Sequence, residues 1–539
     1  MDRRAGARPG PAPPPALPGK GPAPSPTNDP QRARRATSVP ELYHRKAPYM
    51  APERQDDWTR PVLNVLSGKT LRRVLSEAHG LLAKHGVFTR NEAALALAAE
   101  NGLDIDVDAG RILIDGGTVD RCVASAPSRI VLYSRGGEPA MDLGGTRSHF
   151  NPGSAAITVL DAAAGATRPP LVADCIALAR LTAELLSLAG QSTGVVPTNV
   201  PIQHADWCRL LAALLYCEKP VITGTFGHGS LAVMRDLMLA VRGSDAALRA
   251  RPLAIVDCCP SPPLKWGDYI VQDLIDAARW GIPTELISMP AMGSVGPVTI
   301  VGSLIQHTAE TLSGVVFSQL AAPGAPVIYG GSPSLFDMRD ATTPMGAIES
   351  MMLMCGYAQV GRHLGLPTHA YMALSDSKAV DAQSGAETGM GAMLGVLAGV
   401  NNMSGPGMLE LESCMSLEKL VVDNDICGMA LRLTDGVAVA ADDYPSREVF
   451  DELLSTGHLL ISEHTLEHCR EHFYPAVFDR ARREEWARRG GRDTAGRAAE
   501  RVKELLALPP RLPDAGTTGR LLEVCESVLG DSRLFVPQE

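Results

Sequence analysis

From Leu171 onward the chain alternates short runs of β-branched and apolar residues with longer amphipathic stretches, and no other feature constrains its fold as strongly. The strand candidates are GVVPTNV (194–200), PVITGTF (220–226), LAIVDCC (253–259), TELISM (284–289), PVIYGG (326–331), PTHAYMAL (367–374) and NNMSG (401–405). Between them lie helical patterns such as TIVGSLIQHTAETLSGVVFSQLAA, in which Val301, Leu304, Ile305, Leu312, Val315, Val316 and Leu320 share one side. Apolar strands separated by helices imply a parallel sheet covered on both faces. Seven or eight such units predict an α/β fold, a (β/α)8 TIM-type barrel, with an open doubly wound sheet as the alternative. GTFGHGS lacks the spacing of a dinucleotide-binding glycine fingerprint, which weighs against the open sheet.

The flanks read differently. Residues 1–51 are basic and rich in Pro, Ala and Gly, a composition that buries too little surface to offset its ordering entropy, so a disordered tail is expected there. LRRVLSEAHGLLAKHGV has helical spacing, and ENGLDIDVDAGRILIDGG reads as two strands about the turn Asp108-Ala109-Gly110. These define a small α+β unit over 58–145, packed on a barrel core over 171–445, with a C-terminal helical segment over 446–539. A net charge of −10 argues against general nucleic-acid binding. No apolar run suits a signal peptide or a membrane span, and eleven scattered cysteines fit reduced thiols, so a soluble cytoplasmic protein with no membrane partner is expected. Neither length nor composition fixes an oligomeric state, and a homo-oligomer is compatible with both.

In a barrel, sites lie at the C-terminal ends of the strands. Those positions here are polar: Thr225 and His228; Asp257 with Cys258 and Cys259; Tyr329 with Phe336, Asp337 and Arg339; His369 with Asp376 and Lys378; Asn401 and Asn402. Helix capping or a local ion pair accounts for any one of them, and their convergence on one rim is the functional signal. The stretch LSDSKAVDAQSGAE (374–387) concentrates this polarity between two apolar runs. Adjacent cysteines suit a shared tetrahedral metal site poorly, and His464, His468 and His472 recur on what reads as a solvated helix face, so no tightly bound metal is expected.

The ordered blocks ALRARPLAIVDCCPSPPL, GIPTELISMPAMGSVGPVTIVGSLIQHTAETLSGVVFSQLAAPGAPVIYGG, GLPTHAYMALSDSKAVDAQSGAE and MSGPGMLELESCMSLEKLVVDNDI, followed by HTLEHCREHFYPAVFDRARREEW, resemble the trimethylamine methyltransferase family over nearly the whole folded chain. The resemblance implies a (β/α)8 barrel that moves a methyl group from an amine to the Co(I) corrinoid of a separate cognate corrinoid protein. Archaeal members acting on trimethylamine carry pyrrolysine, which is missing here. The implied branch is therefore the one that resembles glycine betaine:corrinoid methyltransferases acting on quaternary amines. Transfer from a quaternary nitrogen expels a neutral amine and requires no general acid. Such a site needs an aromatic or modestly polar cradle and an anchor for a substrate carboxylate. On strand-end position, Tyr329, Phe336 and Tyr371 are the aromatic candidates, Arg339 and Lys378 the carboxylate anchors, and His369 and Asp376 the polar groups that orient the substrate for catalysis. A non-catalytic barrel that binds a small cationic metabolite is the alternative function.

Overall fold

The computed structural model describes residues 60–161, 164–437 and 447–536. Residues 1–51, read above as a tail, lie outside them. Strands and helices alternate: β1 (His149–Asn151), α1 (Val172–Glu184), β2 (Gln191–Ser192), α2 (Ala205–Tyr216), β3 (Val221–Gly224), α3 (Ser230–Arg242), β4 (Ala254–Cys258), α4 (Asp268–Trp280), β5 (Thr284–Ser288), α5 (Ile300–Ala321), β6 (Val327–Gly331), α6 (Ile348–His363), β7 (His369–Ala370), α7 (Ala382–Leu397), β8 (Asn402–Ser404) and α8 (Leu417–Asp435). The strands form two parallel sheets, ordered β6-β5-β4-β3-β2 and β7-β8-β1. Tyr329 of β6 forms a parallel bridge with Thr368 beside β7. At the other margin Ala189 N, just before β2, donates to Phe150 O of β1 at 2.8 Å.

Two features differ from the sequence reading. The strand expected over 194–200 lies past the end of β2, because Pro197 has no N–H to give to a ladder and Pro201 follows at once. The first parallel strand, β1, precedes the boundary expected at 171; its HFN run is too short to show a period.

The helix expected over TIVGSLIQ is α5, yet it is buried nearly all round rather than on one side. Its outer face is covered by the N-terminal helices Gly68–Lys84 and Gly116–Ser125. A helix packed on both sides carries apolar and small residues around its circumference. The hairpin read about Asp108-Ala109-Gly110 is present as Asp104–Asp106 paired antiparallel with Arg111–Leu113. A second hairpin, Ile130–Tyr133 with Pro139–Leu143, packs Ile130, Leu132, Met141 and Leu143 against Ile222, Ile255 and Ile328 in a separate apolar cluster. At the C-terminus, helix Thr494–Leu506 packs on α8 and α1, and Ala515–Leu529 on α3 and α2.

Near the end of β8 an ion pair holds the chain. Lys419, 1% exposed, donates from Nζ to Thr388 Oγ1 at 2.8 Å and to Asp423, whose Oδ2 also accepts from Gly407 N at 2.7 Å. Removing one partner of a buried pair strands the other charge. Lys419→Met should therefore lower the unfolding free energy by ~3–5 kcal/mol in denaturant titration, and Lys419→Met with Asp423→Asn should recover most of that loss. Equal losses in the single and double variants would show that packing, and not the stranded charge, sets the effect.

Candidate active site

Strand periodicity places the site. Side chains two residues apart share a face, so Ile222 and Gly224 in β3, Ile255 and Asp257 in β4, and Ile328 and Gly330 in β6 point the same way. The isoleucines meet the second hairpin at the N-terminal ends of the strands. One step toward the C-terminal ends this face turns polar. Asn402 Nδ2 donates to Glu285 Oε2 at 2.9 Å, and Asn151 Nδ2 donates to Asn402 Oδ1 at 2.7 Å. Ser404 Oγ donates to Asn151 Oδ1 at 2.9 Å, and His369 Nε2 lies 3.1 Å from Glu285 Oε1 and 3.2 Å from Ser404 Oγ. Gly330 leaves room for the imidazole, since a Cβ there would stand 3.0 Å from His369 Nδ1.

The charges in this cluster are set by burial. His369 is pulled down to about 3 by loss of solvent, so its imidazole is neutral. Glu285 is pushed well above the carboxylate range, first by burial and then by Asp257. Asp257 is also raised by burial, against the opposing pull of Arg209. Both partners are held toward neutrality, so the 3.1 Å approach of His369 Nε2 to Glu285 Oε1 is a close contact between uncharged groups and not an ion pair. Asp257 Oδ1, Glu285 Oε1 and His369 Nδ1 are buried with no hydrogen-bond partner. Three such atoms on one face of the strands leave polar capacity that a ligand or water could use.

Toward the rim, Tyr371 Oη donates to Asp257 Oδ2 over 3.5 Å, and the Tyr371 and His369 rings meet edge to face at 4.8 Å. Glu412 is raised well above the carboxylate range by burial and by Asp257. It ends three consecutive non-glycine residues in the left-handed region, Glu410, Leu411 and Glu412, with φ of 52°, 58° and 66°. Such backbone costs about 1–3 kcal/mol per residue and persists only where its surroundings impose it. Here Glu410 N donates to Ser377 O at 3.0 Å and Ser413 N to Glu410 O at 3.1 Å. Leu411 lines an outer cleft of roughly 480 Å³, while its neighbour Glu412 is close enough to Asp257 for their charges to interact.

Of the residues expected at the site, the fold brings His369 and Tyr371 together with Asp257. Tyr329 lies on the opposite face of β6, fully buried, with Oη 3.1 Å from Thr308 Oγ1 of α5 and its ring against His307 and Tyr357. Phe336 is half-buried beyond β6, where its N–H donates to Met292 O at 3.0 Å. Arg339 lines the outer cleft, but its guanidinium is engaged by Asp337, with Nε to Oδ1 at 3.0 Å and an Nη to Oδ2 at 2.5 Å. That pairing draws Asp337 down to about 2. Lys378 is exposed and donates to Asp376 O at 2.7 Å. Asp376 accepts from Met345 N at 3.0 Å and Gly346 N at 2.8 Å, and burial raises it to about 6. The polar stretch 374–387 thus largely builds itself: Asp376 ties down the 345–346 loop, Asp381 caps α7, and Glu387 accepts from Ser375 Oγ at 2.6 Å.

Sequence reasoning missed Glu285, Arg209 and Glu412. An acidic residue inside the apolar run TELIS and an arginine inside ADWCRLLAALLY were the available signals for the first two. Glu412 has none, because its inward position depends on left-handed backbone that the string LELES does not encode.

The model of the family described as trimethylamine methyltransferase (MTTB) matches residues 31–518. The chain is 29% identical over 462 residues to the trimethylamine methyltransferase MttB of Desulfitobacterium hafniense strain DCB-2, across 84% of this chain and 92% of that protein. It is 28% identical over 455 residues to the trimethylamine methyltransferase MttB of Methanosarcina barkeri, across 82% and 90%. It is also 28% identical over 462 residues to the glycine betaine methyltransferase of Desulfitobacterium hafniense strain Y51, across 84% and 94%. Among solved structures it aligns with the Methanosarcina barkeri monomethylamine methyltransferase (MtmB) at 11% identity and a TM-score of 0.48, over 83% of this chain and 90% of that one.

Proposed function

Since the chain belongs to the trimethylamine methyltransferase family and is a methyltransferase, we propose that it takes a methyl group from a quaternary amine of the glycine betaine type and passes it to the Co(I) corrinoid of a separate corrinoid protein. The eight parallel strands close into a barrel in this reading. The Tyr329–Thr368 bridge and the Ala189–Phe150 hydrogen bond at the two sheet margins support that closure. The C-terminal strand ends, where Asp257 and Tyr371 meet, then form the mouth.

The observation that carries the substrate class is the set of three carboxyls, buried Asp257 and Glu285 and half-buried Glu412, all held toward their neutral forms. Co(I) attacks the methyl carbon, a C–Co bond forms, and the C–N electron pair leaves on nitrogen as a neutral tertiary amine. The substrate's positive charge vanishes in that step, so fixed carboxylates against it would hold the ground state more tightly than the transition state. Protonated carboxyls and the Tyr371 hydroxyl supply a polar cradle without that penalty. No helix among the described residues is long and apolar enough to cross a membrane, and the corrinoid enters as a co-substrate on its own carrier.

Purified chain incubated with Co(I) cobalamin and trimethylglycine should convert the Co(I) spectrum to that of methylcobalamin, with release of dimethylglycine. Turnover with trimethylamine and none with trimethylglycine would overturn the quaternary assignment while leaving methyl transfer in place. Asp257→Asn keeps a neutral side chain of the same shape and should retain measurable turnover, whereas Tyr371→Leu should raise KM for the amine by about tenfold or more through loss of the aromatic wall.

A further inference from the structure

The carboxylate anchors expected from sequence, Arg339 and Lys378, sit on the outer cleft and not beside Tyr371 and Asp257. One cation does sit there. Arg209 of α2 is 2% exposed, and one Nη donates to Thr193 O at 2.8 Å while the other donates to Gly224 O at 3.1 Å. Those carbonyls close the C-terminal ends of β2 and β3, so the guanidinium lies at the mouth level. Phe226, itself 39% exposed, covers it at 4.3 Å from the ring centroid. Gly224 places no side chain between it and Asp257, for a Cβ at 224 would stand 3.4 Å from Asp257 Cβ.

A guanidinium carries five N–H donors, and only the two bonds above engage them. Nε is buried with no partner, and no carboxylate forms an ion pair with Arg209 among the described residues. Nearby Asp206 is occupied, since it accepts from Trp207 N and Phe226 N at 2.8 Å each. Asp206 and Asp257 act on Arg209 through space without pairing with it, and a buried guanidinium with unused N–H donors is costly unless something completes it. Burial lowers this arginine only to about 10, so it remains charged at neutral pH. Bridging two backbone carbonyls does not need a charge.

Resting on the methyl-transfer reading above, we propose that Arg209 binds the carboxylate of a zwitterionic amine, with the ammonium end directed to Asp257, Tyr371 and Glu412. Positive charge then faces the substrate's anion and protonatable carboxyls face its cation, an arrangement that selects amino-carboxylates over simple alkylammonium ions. Guanidinium forks suit carboxylates because two parallel N–H groups match two oxygens.

The test is calorimetric titration of the full chain with trimethylglycine, its uncharged amide and tetramethylammonium. Wild type should bind trimethylglycine at least tenfold more tightly than the amide, a comparison that needs no variant. Arg209→Gln should weaken trimethylglycine by thirtyfold or more and leave tetramethylammonium within twofold, with Arg209→Lys between. Equal loss for both ligands would make Arg209 a packing residue and overturn the proposal, as would a wild type indifferent to the carboxylate. The two readings fail separately. Selective carboxylate binding without formation of methylcobalamin would refute methyl transfer and leave the anchor standing. Methylcobalamin formation without carboxylate preference would refute the anchor alone.

Discussion

Replacing Glu285 with glutamine is expected to make the protein more stable, and increasingly so as pH rises. A carboxyl whose folded pKa exceeds its unfolded value binds its proton more tightly in the folded chain. Its stabilising share is complete below the unfolded value of 4.5 and is lost as pH climbs toward the folded one. Glu285 lies on β5 with no exposed surface, and Asp257 adds to the upward push of burial, so the window opens at 4.5 and extends upward from there. The slope is about 1.4 kcal/mol per pH unit for one proton. Between pH 5 and pH 8 the wild type should therefore lose stability progressively relative to Glu285→Gln. Glutamine keeps an oxygen to accept from Asn402 Nδ2 and an N–H to give to neutral His369 Nε2, so the geometry survives. Urea titrations of both proteins across that range provide the measurement. Parallel stability curves would mean that Glu285 is ionised in the folded chain and that the contact with His369 is a true ion pair.

Gly405→Ala should destabilise the protein at every pH. A Cβ at 405 would stand 2.0 Å from Met372 O and 2.9 Å from Met372 C, and backbone cannot rotate away as a flexible side chain can. This contact joins the chain leaving β8 to the chain leaving β7, one residue beyond Tyr371. The substitution is expected to cost about 3 kcal/mol or more, within the range for overpacking and forced backbone shifts. It should also displace Tyr371 and so raise KM for the amine. Gly385→Ala is the internal control: nothing lies within 4 Å of the added methyl, and alanine is the better residue in the interior of α7. That variant should equal or slightly exceed wild type in stability. If both alanines behave alike, the close approach at Gly405 is not what fixes the two strand exits.

The sequence alone determined the alternation of parallel strands and helices, because buried strands must be apolar on both faces and helices repeat every 3.6 residues. Six of the seven strand candidates contain a strand of the fold, and the antiparallel hairpin and α5 appear where periodicity put them. Strand-end polarity, which survives in a linear reading, also pointed to His369, Tyr371 and Asp257, which the fold brings together. What the sequence did not determine was the direction each side chain faces. Tyr329 and Gly330 are neighbours in PVIYGG, yet one points to α5 and the other toward His369, and a shift of one residue exchanges them. The same reason hid Glu285 in an apolar strand and Arg209 in an apolar helix. Only tertiary structure decided which polar residues of 374–387 serve the loop itself, because hydrogen-bond partners such as Gly346 for Asp376 come from distant chain. Charge state followed last: whether Asp257, Glu285 and Glu412 hold their protons depends on desolvation and mutual proximity, and both arise only when separate strands and loops converge.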